Sequence, residues 1–145
     1  MSKRRFLAID PMSTFAWYDG EYLGSKKVEK DKPALSFYNI ICDMMVSQHN
    51  YEAIIMEYTY FKYKNSNQIL LGQRYILKIF AETYKIPLIE YSPAEIKKSF
   101  TGSGKADKKD MIKEAKKREP DTSNDHEADA VAIYHHHLKV IGEDK

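Results

Sequence analysis

Short apolar runs separated by polar turns dominate the first quarter of the chain. The first run, residues 5–9, ends at Asp10, and two further runs flank Gly20. The dipeptide Asp19-Gly20 is a strong hairpin signal, because both residues tolerate the positive φ angles of a tight turn. The pattern therefore predicts three strands in an antiparallel meander. They lie at residues 5–9, 14–19 and 21–23.

After a charged stretch that follows Gly24, the apolar residues recur at helical spacing instead of in short strand-like runs. Pro33 is a favoured first-turn residue of a helix, and apolar side chains recur behind it at helical intervals. Residues 52–56 then predict a buried strand that stops at Glu57. The aromatic and basic residues 58–64 predict a loop.

A long helix with apolar side chains on two sides follows this loop. Asn65 or Ser66 is the predicted cap, and the helix is expected to end near Tyr84. A helix that is apolar on two sides usually packs against two surfaces, which here would be the sheet and a partner subunit. The alternative is that another helix of the same chain covers the second side. The two stripes are Ile69/Ile76/Phe80 and Leu70/Leu71/Leu77.

The last third of the chain predicts one more strand and three helices. Ser92 to Glu95 form a capping box, in which each of the two side chains satisfies a backbone N–H. The predicted elements are a strand at 86–91, a short helix from Ser92, a loop at 101–105, a basic helix from Asp107 to Lys117 and a final helix from about Asp125, capped by Asn124 or Asp125, to Ile141. The order of elements predicts a mixed α/β sheet with helices on both faces.

Length and composition limit the class of protein. A chain of 145 residues is suited to one domain, since domains commonly run about 100–200 residues. Hydrophobic residues make up 43% and charged residues 30%, which excludes a collagen-like, low-complexity or largely disordered chain. We therefore expect residues 1–145 to form a single domain with its own hydrophobic core.

Apolar runs and cysteine content indicate the compartment. The longest apolar runs have only four or five residues, whereas a membrane-spanning helix needs about 20. The N-terminal MSKRR leads directly into FLAID, without the apolar stretch of a secretory signal. Cys42 is the single cysteine, so an internal disulfide and a cysteine zinc cluster are both excluded. We expect a cytoplasmic protein with no membrane partner.

The distribution of charge is more informative than the net charge of +2. Residues 97–118 contain nine basic and three acidic residues, a net +6. Acidic residues then follow at Asp121, Asp125, Glu127 and Asp129. A basic segment beside an acidic cluster suits a protein that holds a polyanion and hydrolyses it with the help of cations. The alternative is a solvated basic helix face.

Two acidic residues stand where apolar strands end. Asp10 follows the first predicted strand, and Glu57 follows the strand at residues 52–56. Burial raises the pKa of a carboxyl group unless a cation offsets the cost, and two such acids on neighbouring strands would repel each other. A shared divalent cation would remove that repulsion. The alternative is that each acid simply begins a loop.

The final helix carries a third set of candidate ligands. His126 and Asp129 are three residues apart, and Asp125 and Asp129 are four apart, so both pairs share a helix face. Alanines at 128, 130 and 132 keep the helix slim, which lets its backbone approach the sheet. Sites with several carboxylates suit Mg²⁺ or Mn²⁺ rather than structural zinc. Alternatively, His126 is a cap or a core-edge histidine. We interpret His135–His137 as a surface face.

Five segments of the chain resemble the motifs of one protein family and occur in the same order, which is improbable by chance. They are LAIDPMS, IIMEYTYF, NSNQILLGQ, SPAEIKKSFTGSGKADKKDM and HEADAVAIYHH. Together they resemble the RuvC-type Holliday junction resolvases of the ribonuclease H-like superfamily, in the variant with His-x-x-Asp on the last helix. The chain departs from the family at Met12, where Gly usually follows Asp-Pro, and the next segment lacks a further usual glycine. The resemblance implies a five-stranded mixed sheet with helices on both faces.

The resemblance also assigns roles to individual residues. Asp10, Glu57, His126 and Asp129 become ligands of two Mg²⁺ ions, for which Mn²⁺ can substitute. Hydrolysis would leave a 5′-phosphate and a 3′-hydroxyl. Lys97 and Lys108 match the family's functional lysines, with Lys108 in the catalytic set and Lys98, Lys105 and Lys109 as further DNA contacts. Tyr60 and Phe61, beside Lys62, match the aromatic that wedges or stacks at the branch point.

The function that the resemblance implies is cleavage of a four-way DNA junction by symmetric paired nicks. Such cleavage needs two active sites, so we expect a homodimer, and Gly72 on the long helix would let the partner backbone come close. The setting would be the cytoplasm of a bacterial cell or of a phage-infected host. Two alternatives stay open: a broader branched-DNA, flap or ribonuclease H-type nuclease on the same fold, and a non-catalytic branched-DNA-binding protein.

Overall fold

Five strands form one mixed sheet: β1 (Phe6–Asp10), β2 (Thr14–Tyr18), β3 (Leu23–Lys27), β4 (Ala53–Glu57) and β5 (Leu88–Tyr91). The computed structural model describes residues 5–48, 50–58 and 64–144, except for the side chains of residues 64–67. The strands lie in the order β3-β2-β1-β4-β5. The first three are antiparallel neighbours, whereas β1 pairs with β4 and β4 with β5 in parallel. The predicted meander and the five-stranded mixed sheet are confirmed.

The helices that the structure describes cover both faces of this sheet. They are α1 (Pro33–Ser47), α2 (Lys64–Tyr84), α3 (Pro93–Thr101), α4 (Lys108–Arg118) and α5 (Asp125–Val140). Helices α1 and α2 pack with the β1 side chains Leu7 and Ile9 in one core. Helices α3, α4 and α5 pack with Phe6 and Ala8 in the other. Because strand side chains alternate between faces, β1 contributes to both cores, and the prediction of helices on both faces is confirmed.

The third strand begins later than the sequence pattern predicts. The carboxylate of Asp19 accepts the backbone N–H groups of Glu21 and Tyr22 at 3.0 and 2.7 Å, so the chain is still turning there. Pairing with β2 resumes only at Leu23. Gly24 therefore lies within β3, where a Cβ would come within 2.4 Å of the Trp17 ring. The prediction of a strand at residues 21–23 is wrong in its bounds.

The apolar side chains of α2 are divided differently from the two predicted stripes. Leu77 and Phe80 are buried together in the core that α2 shares with the sheet and α1, and Leu70 is also buried. Leu71 is exposed instead, one position beyond Leu70 on the helix. The helix also begins at Lys64, so the predicted cap residues lie inside its first turn rather than before it.

Helix α5 lies across the sheet with most of its circumference covered. It contacts β1 and β2 on one side and α3 and α4 on the others. Ala128, Ala130 and Ala132 are fully buried, which confirms that small side chains allow close approach. The prediction of a surface face at residues 135–137 is wrong, because His136 and His137 are buried and His135 is half-buried. Over the residues described, no helix combines the length and apolarity that a membrane span requires.

Candidate active site

Asp10 and Glu57 lie at the same edge of the sheet and on the same face. Asp10 is the last residue of β1, and Glu57 is the last residue of β4. The parallel register pairs Ile9 with Met56, so the two acids occupy the next positions of neighbouring strands. By strand alternation, both side chains share a face with Ala8, which belongs to the core beneath α5. The two strand-end acids predicted from the sequence are therefore neighbours.

The N-terminus of α5 meets this edge and is held there by a buried network. Asn124 caps the helix, since its side-chain oxygen accepts the N–H of Glu127 at 2.8 Å. The buried Glu127 carboxylate accepts the Ser25 hydroxyl at 2.7 Å and the Ser123 hydroxyl at 2.9 Å. Glu127 thus ties α5 to β3. Its place three residues after Asn124 is typical of a capping pattern and is the signal in the sequence that could have indicated this role.

His126 lies between two carboxylates at this end of α5. Its Nδ1 is 3.8 Å from Oδ2 of Asp10, and its Nε2 is 3.8 Å from Oδ1 of Asp125. Both distances are longer than hydrogen bonds, so these contacts are electrostatic. The other oxygen of Asp125 lies 3.6 Å from Nζ of Lys108. A line of alternating basic and acidic side chains therefore runs from α4 through α5 to the end of β1.

Three carboxyl groups of the site resist ionisation. Burial raises the pKa of Glu57 to about 7, with a further contribution from the charge of Asp10. Burial, followed by the charges of Asp10 and Glu57, raises the pKa of Asp129 to about 8. Burial also raises the pKa of Asp10, and His126 opposes that shift. The neighbouring carboxylate of Asp10 in turn raises the pKa of His126.

A divalent cation fits the chemistry of this donor set. Asp10 is buried and Glu57 and Asp129 are half-buried, and neighbouring carboxylates raise the pKa of the latter two. Such a group would gain from a shared positive charge, and oxygen donors suit hard cations. In the described part of the chain, no three His, Cys, Asp or Glu side chains are yet arranged to hold an ion in common. The assignment of Asp10, Glu57, His126 and Asp129 as ligands stays a prediction.

The predicted DNA-contacting lysines differ in their relation to the acids. Lys97 is half-buried on α3, and its charge lowers the pKa of Glu57. Lys108, at the start of α4, has a side chain that is 84% exposed and is paired with Asp125. Lys98, Lys105 and Lys109 are exposed. Tyr60, Phe61 and Lys62 lie outside the described residues.

The sequence matches one family model and several curated proteins. Residues 26–137 match the model described as crossover junction endodeoxyribonuclease RuvC, a range that includes Glu57, His126 and Asp129 but not Asp10. The chain is 34% identical over 103 residues to RuvC of Gloeobacter violaceus, covering 65% of this chain and 58% of that protein. It is 41% identical over 91 residues to RuvC of Pseudothermotoga lettingae, covering 60% and 56%. The chain thus spans less than two thirds of the length of these two relatives.

The fold is similar to that of a solved RuvC structure over nearly the whole chain. RuvC of Thermus thermophilus, in a complex with a Holliday junction substrate, aligns with a TM-score of 0.75 and 18% identity. The alignment covers 97% of both chains. The predicted ribonuclease H-like fold is confirmed by this likeness and by the strand order.

Proposed function

The chain belongs to the RuvC family of crossover junction endodeoxyribonucleases, and from this we propose that it is itself a metal-dependent endonuclease that cleaves four-way DNA junctions. The observation that carries the proposal is the meeting of Asp10, Glu57, His126 and Asp129 at one edge of the sheet. These side chains come from β1, β4 and α5, which are far apart in sequence. Competent residues at all four positions favour a nuclease over a protein that only binds branched DNA.

The four side chains would hold divalent cations in this proposal, two Mg²⁺ ions with Mn²⁺ as a substitute. When bound, such cations supply Lewis-acid chemistry that activates water and stabilises the leaving 3′-oxygen. Asp10, Glu57 and Asp129 would contribute carboxylate oxygens, and His126 would contribute a neutral imidazole nitrogen. The sheet and α5 shield Asp10 from bulk water, since this residue is only 7% exposed. The product ends would be a 5′-phosphate and a 3′-hydroxyl.

The basic residues around this edge would bind the DNA backbone. Lys97 lies close enough to Glu57 to affect its pKa, so it is suited to a phosphate next to the scissile bond. Lys108 is exposed and can exchange its contact with Asp125 for a phosphate. We propose Lys98, Lys105 and Lys109 as more distant phosphate contacts. We propose Tyr60, Phe61 and Lys62 as the group that stacks on unpaired bases beside the phosphates.

A homodimer would supply the second active site that paired nicks require. In the part of α2 whose side chains the structure describes, one face carries three exposed apolar side chains at four-residue intervals. They are Leu71, Tyr75 and Ile79. This row lies on consecutive turns and so forms a continuous stripe that a second copy could cover. A Cβ at Gly72 would meet nothing within 4 Å, so space for a close partner exists beside the stripe. A closed two-fold pair would match the symmetry of a four-way junction.

Cleavage assays on three substrates test this proposal. We expect a four-way junction to be cut with Mg²⁺ or Mn²⁺ and not in EDTA, with symmetric nicks in two strands of like polarity. Asp10→Asn should abolish cleavage while junction binding survives, because the phosphate-binding lysines are unchanged. Full activity of this variant, or in EDTA, would refute the cation site.

The choice of substrate distinguishes the alternatives. Faster cleavage of a flap or an RNA–DNA hybrid than of the junction would favour the broader nuclease. Junction binding without cleavage of any substrate would favour the non-catalytic binding protein. A monomer that nicks a single strand at unrelated positions would refute the paired mechanism.

A further inference from the structure

Gln73 of α2 makes a hydrogen bond to the turn that follows Asp10. Its side-chain Nε2 donates to the backbone carbonyl of Met12 at 2.9 Å. Met12 is two residues beyond Asp10, in the short connection between β1 and β2. On the other side of the same connection, the carbonyl of Ser13 accepts the N–H of Val28 at 2.7 Å. The turn is therefore held from α2 and from the segment after β3.

Gln73 is in an environment where an apolar residue would be expected. The residue is only 2% exposed, and its Oε1 is buried without a hydrogen-bond partner among the residues that the structure describes. A buried amide with one unsatisfied atom is less favourable than an apolar side chain of the same shape. The bond from Nε2 to Met12 is thus the polar contact that distinguishes glutamine from methionine at this position.

The neighbouring residue fixes α2 at a second point on the sheet. The Arg74 guanidinium donates to the carboxylate of Glu90 on β5 at 2.6 and 3.2 Å. Successive residues of α2 therefore reach the last strand and the turn after the first strand. Because Arg74 anchors the helix, the Gln73 amide is a fixed donor for the Met12 carbonyl rather than a mobile one.

We propose that Gln73 is a positioning residue, which holds the turn after Asp10 through the Met12 carbonyl and so fixes the direction of the Asp10 carboxylate. This inference rests on the proposed function, since it assigns Gln73 to the site where Asp10 would hold a cation. Gln73 itself touches neither Asp10 nor substrate in this role. Its effect passes through the backbone of Pro11 and Met12, so the identity of the Met12 side chain is not critical.

Gln73→Met tests the proposal, because it removes the donor and keeps the length of the side chain. The first readout is Mn²⁺ binding to the DNA-free protein, measured by calorimetry. Loss of an outer-shell contact commonly weakens metal affinity about 10–100-fold, and we expect a loss of about 10-fold here. The Mn²⁺ concentration for half-maximal junction cleavage should rise by a similar factor. Junction affinity in EDTA and the melting temperature should change little.

Gln68→Met is the matched control on the same helix. Gln68 is exposed and lines the same cavity of about 250 Å³ as Gln73, and it should give wild-type Mn²⁺ binding. If Gln73→Met does not fold, Gln73→Asn replaces it, since its amide is one carbon too short to reach Met12. Mn²⁺ affinity within about twofold of wild type in the folded variant would overturn the proposal.

The two readouts separate this inference from the proposed function. A wild-type protein that binds Mn²⁺ but cuts no branched DNA would refute the nuclease and still allow the Gln73 comparison. A wild-type protein that cuts junctions, with a Gln73→Met variant of unchanged Mn²⁺ dependence, would refute only the role of Gln73. A wild-type protein that binds no Mn²⁺ would refute the cation site and the inference with it.

Discussion

The Nδ1 atom of His126 lies 3.8 Å from Oδ2 of Asp10. This contact joins the first turn of the last helix to the end of the first strand. The opposite nitrogen of the same ring is 3.8 Å from Asp125. His126 is therefore flanked by carboxylates at both nitrogens, and the two neighbours suggest different roles. Asp10 would share a cation with the ring, whereas Asp125 would orient it.

Substitutions at His126 distinguish a cation ligand from a helix cap. His126→Asp supplies an oxygen donor in place of the imidazole, and His126→Ala supplies none. We expect the Asp variant to keep at least about tenfold more single-turnover cleavage activity than the Ala variant, since loss of even an outer-shell contact commonly costs about 10–100-fold in metal affinity or activity. Cleavage rates at saturating junction and saturating Mg²⁺ provide the measurement.

Asp125→Ala is the companion variant for this comparison. It should remain active, with a modest loss, because Asp125 orients the ring and pairs with Lys108. Equal rates for His126→Ala and wild type would show that His126 is only a cap. An inactive Asp125→Ala beside an active His126→Ala would transfer the ligand role to Asp125.

Asp129→Asn should stabilise the cation-free protein while abolishing cleavage. The pKa of Asp129 in the folded protein is about 8, well above its ordinary value of 3.8, so folding favours the protonated form. The stability that the protonated Asp129 carboxyl contributes is fully present below pH 3.8 and is lost as pH rises toward 8. In EDTA at pH 8, removal of the charge should raise the free energy of unfolding by about 1 kcal/mol or more. Each kcal/mol corresponds to a rise of about 2–4 °C in melting temperature.

The pH dependence is the internal control for this stabilisation. At pH 5 most of the Asp129 carboxyl is already protonated, so the gain from Asp129→Asn should shrink. The exposed acid Asp121, in the turn before α5, gives a matched variant, and Asp121→Asn should have little effect at either pH. A lower melting temperature for Asp129→Asn than for wild type in EDTA at pH 8 would contradict the prediction.

The buried histidines of α5 should make the fold sensitive to acid. Burial lowers the pKa of His135, His136 and His137, so the folded state favours their neutral forms. The stability that these neutral histidines contribute is fully present above the ordinary pKa of 6.5. It is lost as pH falls below 6.5, because the unfolded chain then binds more protons than the folded chain. His136 packs edge-on against Tyr91 at 4.5 Å between ring centroids.

His136→Phe isolates one of these histidines. The ring contact with Tyr91 is kept, while the protonation site is removed. We expect the difference in melting temperature between the variant and wild type to be constant above pH 7 and to shift in favour of the variant between pH 6.5 and 5. Comparison at each pH cancels the opposite trend of the site carboxyls. A difference that does not change with pH would contradict the prediction.

The exposed stripe of α2 should control oligomeric state. Tyr75→Glu combined with Ile79→Lys places charges on side chains that are 54% and 57% exposed in the single chain, so folding should be unaffected. If the stripe is the dimer surface, sedimentation should show a monomer, and paired cuts on a junction should become single nicks. Val46→Lys, an exposed apolar position at the end of α1, is the matched control. A dimeric double variant would exclude this face.

Local patterns in the sequence were enough to predict most of the fold. Strand β1 and strand β4 follow from short apolar runs, and α3 and α4 begin at the capping residues Ser92 and Asp107. These signals involve residues within four positions of one another, so no tertiary information is needed to recognise them. The two strand-end acids, Asp10 and Glu57, could be singled out for the same reason.

Other features depend on contacts that sequence spacing does not record. The strand pattern could not show that the Asp19 carboxylate prolongs the turn and delays β3 to Leu23. Helical periodicity could not show that α5 is covered by the sheet, α3 and α4 together, which buries His136 and His137. In both cases the deciding interaction is with a group whose position follows from packing.

The candidate site shows the same division. The residue types of Asp10, Glu57, His126 and Asp129 were determined by the sequence, and their spacing already indicated shared faces. Only the tertiary structure decided that His126 stands between Asp10 and Asp125, and that Gln73 reaches the turn after Asp10. The physical reason is that hydrogen bonds and charge contacts act over a few ångströms, while the residues that make these contacts lie on elements that packing brings together from distant parts of the chain.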